Sequence, residues 1–466
     1  MSRALPPRSN SSPFSAPASQ EAGLLPGSGE LVEKRTSALV FTIASATVLF
    51  GFPFGIVALR PGLLKAGIFL DTCESGYADV FARTGVPCHK MALILAQVFA
   101  LVIVLGAVGT LPFGILADRW GPRGVIRACL LVTGAGFAIS GIDLHSGIAF
   151  TIGMCVASIA AIAVGAVATT NVLPDGCKEE DTEMWFTISV ALADGGCVVA
   201  VPIGALIKWT ILPVWVWMIV VGIIVLAIFL PLHHVAVREK TVKPPTLGHV
   251  TVAQVTRRSY VQRLFLPYLV TMAWGGAIES ASGHIFQHFG GSGGSANSPL
   301  IMYVPLVVAA GAFASTIVFL VIDFDHIRVG TWIRYLSLLA VIVIMSLPKL
   351  HTPSAFWLLI FFMSSFRAST LGAVIFAGFD LAEDAAKGTV VGVLTTFSCI
   401  LALIPMQLYT YVLADHPDYY AHITLGASVL CLGADIFTLQ VLREGREATA
   451  AAVAPAGSDE APHRSI

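Results

Sequence analysis

The sequence predicts an all-α, polytopic membrane protein with 12 transmembrane helices arranged in two pseudo-symmetric six-helix bundles. Composition, long apolar segments and the distribution of positive charge support this prediction. Of the 466 residues, 56% are hydrophobic and only 12% are charged, whereas soluble domains carry roughly 25% charged residues. These charges are too few to solvate soluble domains, and the formal net charge of −1 argues against a nucleic-acid partner.

The predicted spans are continuous apolar segments separated by polar breaks. About 20 apolar residues are enough for a helix to cross a bilayer, and continuous segments favour helices over the alternating pattern of a β-barrel. The spans are predicted at 36–59, 90–116, 123–141, 147–172, 183–208, 213–232, 261–282, 298–322, 329–349, 353–378, 387–414 and 418–442.

The polar segments define the domain boundaries. Residues 1–35 are rich in Ser, Pro, Ala and Gly, which predicts a disordered cytoplasmic tail rather than a signal peptide. The other predicted regions are an N-terminal bundle at 36–232, a cytoplasmic central loop at 233–260, a C-terminal bundle at 261–442 and a disordered cytoplasmic tail at 443–466.

Lys and Arg residues set the predicted orientation. With both termini in the cytoplasm, 20 of the 27 Lys and Arg residues lie on the inner side, six lie outside, and Arg367 lies within a span. This asymmetry follows the positive-inside rule. We therefore expect cytoplasmic termini in the plasma membrane, with the vacuolar or lysosomal membrane as the alternative address.

Interrupted helices occur at matching positions of the two halves. Span 1 contains Phe50-Gly51-Phe52-Pro53, span 7 contains Trp274-Gly275-Gly276, and spans 5 and 11 carry Pro202 and Pro405. Such interruptions indicate a substrate site at the middle of the membrane, although Gly and Pro are also common in membrane helices that bind nothing. We favour the substrate site.

The segment between spans 2 and 3 has the pattern G-x-x-x-D-R-x-G-x-R, with Gly114, Asp118, Arg119, Gly121 and Arg123 at its fixed positions. The first glycine permits close helix approach, the second permits a tight turn, and the charged groups can form a network. This pattern resembles the signature loop of the major facilitator superfamily. The resemblance implies that the aspartate faces a helix N-terminus of the opposite half, where negative charge is favoured. The alternative is a topogenic positive loop with incidental glycines.

Three further stretches resemble the large neutral amino acid transporters of solute carrier family 43 and their protist and fungal relatives. They are Phe50-Gly51-Phe52-Pro53 with the long outer loop that follows it, residues 170–175, and residues 366–378 together with 387–392. This resemblance implies sodium-independent, facilitated movement of neutral or branched-chain amino acids. Asp194 and Glu279 depart from what that family leads us to expect, so another substrate remains open.

Ionisable side chains within the spans are candidates for function, because each costs about 2.5–3.5 kcal/mol to insert. Arg367 in span 10 is predicted to hold a substrate carboxylate or to act in gating, with a structural ion pair as the alternative. Glu279 is a candidate to contact a substrate amine, to take up a proton or to form an ion pair with Arg60. Asp194 is either the partner of Arg367, a proton site or a hydrogen-bonded structural acid, and we favour the last.

Other side chains of the interrupted helices complete the candidate substrate site. Polar contacts are predicted from Thr47, Gly51, Thr169, Thr170 and Asn171, and an apolar pocket from Phe52, Phe54 and Trp274. Aromatic residues in membrane helices also serve as packing groups, and that alternative stays open.

Cys73 and Cys88 share the long outer loop, where an oxidising environment favours a disulfide. The sequence has no Cys-x-x-Cys motif and no glycine loop for phosphate, so we expect no metal, no cofactor and no ATP-driven transport. No nucleophile and base stand together in a recognisable motif, and enzyme activity is not expected.

These observations predict a monomeric carrier in the lipid bilayer that moves a small solute by alternating access. The preferred solute is a neutral or branched-chain amino acid, and the transport is expected to be that of a uniporter. The alternatives are a proton-coupled carrier of a cationic amino acid, sugar or nucleoside, and a nutrient sensor that does not transport.

Overall fold

The computed structural model describes residues 28–142, 145–177, 181–237, 251–289, 299–321, 326–347, 352–380, 382, 387–416 and 419–453. No strand occurs in this part of the chain, so its regular secondary structure is entirely helical. Twelve long helices are labelled here in chain order as α1 (residues 28–54), α2 (His89–Trp120), α3 (Pro122–Ser140), α4 (Ile148–Val172), α5 (residues 182–209), α6 (Val214–Ala236), α7 (Ser259–Phe289), α8 (Val304–Val321), α9 (His326–Ser346), α10 (Pro353–Asp380), α11 (Lys387–Asp415) and α12 (Tyr420–Val453).

The predicted fold class is confirmed. Within the described ranges, nine helices are long and apolar enough to cross a membrane, and shorter apolar stretches lie at Trp332–Ser346 in α9 and Tyr420–Ala434 in α12. Each predicted span overlaps one of the twelve helices. The chain is therefore a polytopic helical membrane protein.

Both tails are more helical than the sequence led us to expect. Helix begins at Ser28, inside the tail predicted at 1–35, and α12 continues to Val453, beyond the predicted boundary at 442. The added segments are rich in Glu, Leu, Lys, Arg and Ala, which have high helix propensity. An apolar helix can therefore extend past the membrane boundary that hydropathy marks.

Helices pack mainly within each half of the chain. In the first half, α3 packs on α4 and α6, and α2 packs on α4. In the second half, α7 packs on α10, α11 and α12, and α8 and α9 pack on α10. The halves meet where α2 lies along α11 and where α5 packs on α8 and α10.

Helices α1 and α5 are interrupted and cross each other at glycines. In α1 a π-helical segment, Ser45–Phe50, precedes Gly51–Phe54, and in α5 a 3₁₀ segment, Gly196–Val199, follows Thr182–Gly195. A Cβ atom on Gly51 would lie 2.5 Å from the backbone of Gly196, and one on Gly196 would overlap the carbonyl of Thr47. The two backbones are in direct contact here, and only glycine fits.

A disulfide joins Cys73 to Cys88, across the short exposed helix Tyr77–Thr84. This bridge lies in the connection between α1 and α2, and we call that end of the molecule the disulfide end. The opposite end carries the turn between α2 and α3, with Arg119 and Arg123, and we call it the basic end.

Replacing Cys73 with serine is expected to lower the unfolding temperature of the purified protein by several degrees. The bridge closes a loop with a sequence separation of 15 residues, and closing a loop of this size stabilises a protein by about 3 kcal/mol. Thermal unfolding in detergent measures the change. A reductant should lower the unfolding temperature of the wild type to that of Cys73→Ser and leave that of the variant unchanged. A wild-type unfolding temperature that the reductant does not change would contradict the prediction.

Candidate functional site

A cavity of about 70 Å³ lies between the two halves. Helices α1, α2, α4 and α5 of the first half and α7, α10 and α11 of the second half line it. Most of the wall is apolar, formed by alanine, phenylalanine and aliphatic side chains. The polar side chains in the wall are six hydroxyl groups and one carboxyl group, from Thr110, Thr169, Thr170, Ser189, Tyr268, Thr395 and Asp194.

A buried ion pair joins the two halves at the edge of this cavity. The guanidinium group of Arg367 on α10 donates a hydrogen bond to the carboxylate of Asp194 on α5. Arg367 is only 2% exposed and Asp194 only 6%. The guanidinium carbon also lies 5.6 Å from the ring centroid of Phe54, another wall residue. Asp194 and Phe54 line the cavity, whereas Arg367 is not among its wall residues and meets it only through these two contacts. Both charges are buried, in a medium where an unpaired charge is costly.

Small neighbours position the pair. Gly275 on α7 leaves the space that the arginine stem occupies, because a Cβ atom there would lie 2.5 Å from the Cδ atom of Arg367. The hydroxyl group of Ser364 donates to the carbonyl oxygen of Val308 at 2.6 Å and lies 3.5 Å from the second carboxylate oxygen of Asp194. Because a hydroxyl has one proton, the carbonyl takes the stronger bond. The carboxylate depends mainly on the arginine.

Among the polar residues predicted for the site, Thr169 and Thr170 reach the cavity wall. The hydroxyl group of Thr170 donates to the carbonyl oxygen of Ala166 at 2.9 Å and accepts a hydrogen bond from the Asn171 amide at 2.9 Å. Thr47 instead donates to the carbonyl oxygen of Ile43 at 2.8 Å, within its own helix. Asn171 and Thr47 are not among the wall residues of this cavity.

The predicted aromatic residues separate into two groups. Phe54 lines the cavity together with Phe50, which stacks on it at 5.7 Å between ring centroids. Phe52 points to another side of α1 and packs edge-on against Phe137 at 5.1 Å. Trp274 is buried away from this cavity, and its indole nitrogen has no hydrogen-bond partner among the described residues.

Two predicted charges lie elsewhere. Arg60 is fully buried near the disulfide end, and none of its three guanidinium nitrogens has a hydrogen-bond partner among the described residues. Glu279 belongs to α7, but its side chain lies outside the described part of the structure. Arg60 is not among the residues that line the central cavity.

At the basic end, the loop between α2 and α3 contacts the second half. One carboxylate oxygen of Asp118 accepts hydrogen bonds from the backbone amide and the hydroxyl of Thr389, both at 2.9 Å. A Cβ atom on Gly114 would lie 2.7 Å from the carbonyl oxygen of Gly388. The aspartate thus caps the first turn of α11, where the helix dipole favours a negative charge. Gly121 makes the turn with a φ of +84°.

Contacts between the halves also occur toward the disulfide end. The rings of His89 at the start of α2 and His284 near the end of α7 lie 6.3 Å apart. The thiol group of Cys197 on α5 donates to the carbonyl oxygen of Pro305 on α8 at 3.2 Å. The halves therefore touch on both sides of the cavity.

Sequence reasoning missed several polar wall residues. The hydroxyl group of Tyr268 donates to that of Thr395 at 3.3 Å, and Thr110 and Ser189 add two more hydroxyls to the wall. Isolated hydroxyl groups are frequent in apolar helices, where they bond to their own backbone. Phe50 is a further wall residue that the sequence analysis did not select. For this residue a signal was available, because Phe50 and Phe54 are four residues apart and share one helix face.

A family model described as Major Facilitator Superfamily matches residues 90–405. Among curated proteins, Protein FMP42 of Saccharomyces cerevisiae is 32% identical over 111 residues, which are 23% of this chain and 20% of that protein. The match thus spans only a fifth of that relative.

Solved structures with a similar fold include the human organic anion transporter MFSD10 (TETRAN), with a TM-score of 0.59 and 16% identity over 87% of this chain and 99% of that one. The POT family transporter PepTSo has a TM-score of 0.59 and 15% identity over 88% and 99%. The proton:xylose symporter XylE has a TM-score of 0.61 and 10% identity over 88% and 96%. These similarities show the fold.

Proposed function

Because the chain belongs to the Major Facilitator Superfamily and is a membrane transporter, we propose that it carries neutral or branched-chain amino acids by alternating access. The observation that carries this proposal is the ion pair between Asp194 and Arg367 at the edge of the central cavity. The resemblance of the sequence to solute carrier family 43 supports the same substrate class and a sodium-independent, facilitated mode.

An amino acid has the charges needed to replace this ion pair. Its carboxylate can accept two parallel hydrogen bonds from the guanidinium group of Arg367. Its ammonium group can donate to the carboxylate of Asp194. Since each protein charge then exchanges one partner for another, no buried charge is left unpaired, which would cost several kcal/mol. A sugar or nucleoside offers neither charge.

The wall of the cavity favours an apolar side chain on that amino acid. Phe50, Phe54, Met272 and Leu371 line it, and its polar groups are mainly hydroxyls. Burying apolar surface here yields roughly 25 cal/mol per Å², whereas a charged side chain would need a partner of its own. The wall thus supports a neutral substrate over a cationic one.

The size of the cavity supports a mechanism in which the halves move. At about 70 Å³ it holds only a few water molecules, since a single water molecule needs at least roughly 10–15 Å³, and an amino acid needs more space. Binding therefore requires the halves to separate, and release to the basic end requires the contact of Asp118 with Thr389 to break. We propose that this end faces the cytoplasm, as the positive-inside rule indicates.

A proton-coupled carrier is the second candidate. The observation that favours it is Asp194, a carboxyl group buried within a membrane helix beside the cavity. Acidic groups in such positions often serve as proton relays. Protonation of Asp194 would free Arg367 to bind an organic anion, so this candidate and the amino acid uniporter differ in their response to a pH gradient.

Reconstituted protein is expected to show counterflow of leucine. Liposomes loaded with unlabelled leucine should take up labelled leucine transiently and saturably, because the unlabelled leucine inside competes with the labelled leucine for exit on the carrier. An imposed pH gradient without a leucine gradient should drive no accumulation. Protein-free liposomes and a panel of sugars and nucleosides serve as controls. Binding without counterflow would indicate a sensor, and accumulation driven by the pH gradient would indicate proton coupling.

A further inference from the structure

A groove of about 570 Å³ opens on the surface at the basic end, outside the central cavity. It lies between the first turns of α3 and the last turns of α6. We call it the α3–α6 groove and define it by Trp120, Arg123, Arg127, Leu131, Leu230 and His234. Gly121 and Arg123 of the groove belong to the loop between α2 and α3, but none of the groove residues lines the central cavity.

One end of the groove is positively charged. Arg127 is exposed and has no hydrogen-bond or ion-pair partner among the described residues, and Arg123 lies 3.5 Å from the ring of His234. Among the described residues that line the groove, none is Asp or Glu. The N-terminus of α3, which begins at Pro122, adds a partial positive charge. The groove therefore attracts an anion.

The imidazole of His233 fixes the geometry of this charged end. This ring is 3% exposed, and its Nε2 atom donates to the carbonyl oxygen of Arg123 at 3.0 Å. The bond ties α6 to the first turn of α3. Gly121 and Gly124 also line the groove, and a Cβ atom on either would have nothing within 4 Å.

The other end of the groove is apolar. Leu131 on α3 is 49% exposed, and Leu230 on α6 lines the opposite wall. Trp120 at the rim is 71% exposed, and tryptophan is enriched at membrane interfaces. The groove thus runs from a cationic end at the interface to an apolar end along the hydrocarbon.

We propose that the α3–α6 groove binds an anionic phospholipid of the surrounding leaflet. The phosphate of the headgroup contacts Arg127 and Arg123, and one acyl chain lies along Leu131 and Leu230. Basic pockets between membrane helices are suited to anionic headgroups. A soluble phosphate would use only the charged end, so the apolar end selects the lipid as the source of the anion.

Native mass spectrometry of the full-length protein in detergent tests this proposal with phosphatidylglycerol and phosphatidylcholine of identical acyl chains. We expect tighter binding of phosphatidylglycerol. Arg127→Gln should weaken that binding about fivefold, since one Arg near an anionic surface contributes about 1 kcal/mol. The matched control is Arg257→Gln, which removes an exposed arginine from the segment before α7, outside the groove. It should leave the affinity unchanged.

Other outcomes would overturn the proposal. Equal affinity for the two lipids would remove the role of the headgroup charge. Unchanged binding in Arg127→Gln, or an equal loss in Arg257→Gln, would place the lipid elsewhere. Displacement of phosphatidylglycerol by millimolar inorganic phosphate would show a site for a soluble anion instead of a lipid. Leucine counterflow does not enter the measurement, so the result is independent of the proposed substrate.

Discussion

Arg367→Ala is expected to reduce leucine uptake to the level of protein-free liposomes. The change removes the proposed partner of the substrate carboxylate and leaves Asp194 buried without its ion-pair partner. Losing one member of a buried pair costs about 3–5 kcal/mol of stability. Uptake by reconstituted variants, normalised to the amount of folded protein, measures the effect on transport.

A double variant separates recognition from stability. Replacing both members of a buried ion pair with apolar residues of similar size is often neutral or stabilising. Arg367→Met combined with Asp194→Leu should therefore recover the unfolding temperature but not the uptake. If the double variant folds and transports leucine, the ion pair is structural and the substrate binds by other groups. If Arg367→Ala alone keeps its uptake, the arginine is not part of the site.

Gly196→Ala is expected to prevent accumulation of folded protein or to lower its unfolding temperature sharply. The added methyl group would overlap the carbonyl of Thr47, which is backbone and cannot rotate away. Overpacking costs typically about 1–3 kcal/mol and sometimes more, and here α1 and α5 must separate. Size-exclusion chromatography of a fluorescent fusion and thermal unfolding report both effects.

Gly433→Ala is the matched control for that change. Gly433 lies in α12, and a Cβ atom there has nothing within 4 Å. Alanine is favoured over glycine inside a helix by roughly 0.5–1 kcal/mol, so this variant should be as stable as the wild type or slightly more stable. Equal behaviour of the two variants would contradict the close contact of α1 with α5.

The spans and the loop between α2 and α3 were predictable because their signals are local. A span is recognised from about 20 successive residues, and the loop from five residues at fixed spacing. Sequence also marked Asp194 and Arg367 as unusual charges for a membrane interior. It did not show that they pair, because 173 positions separate them and only the packing of α5 on α10 brings them together.

The wall of the cavity was harder to predict because two of the helices that form it contain π-helical segments, where the number of residues per turn differs from that of an α-helix. α1 contains the π-helical segment Ser45–Phe50, and α4 contains another at Ala168–Val172. A π turn inserts about one residue, which rotates every later side chain around the helix axis. Thr47, Phe52 and Asn171 lie within or just after these segments. The sequence alone therefore does not determine which side of the helix these residues face.

The ion pair between Asp194 and Arg367 bears on the return of an empty carrier. A binding site with a lone positive charge would have to carry it uncompensated through a medium of low polarity, and only the loaded form would cross readily. In the proposed mechanism, Asp194 and Arg367 pair with each other again once the solute leaves. Reorientation without cargo then meets no large dielectric barrier, and net downhill flux is possible in place of obligatory exchange. Efflux from loaded vesicles into solute-free buffer would report this step directly.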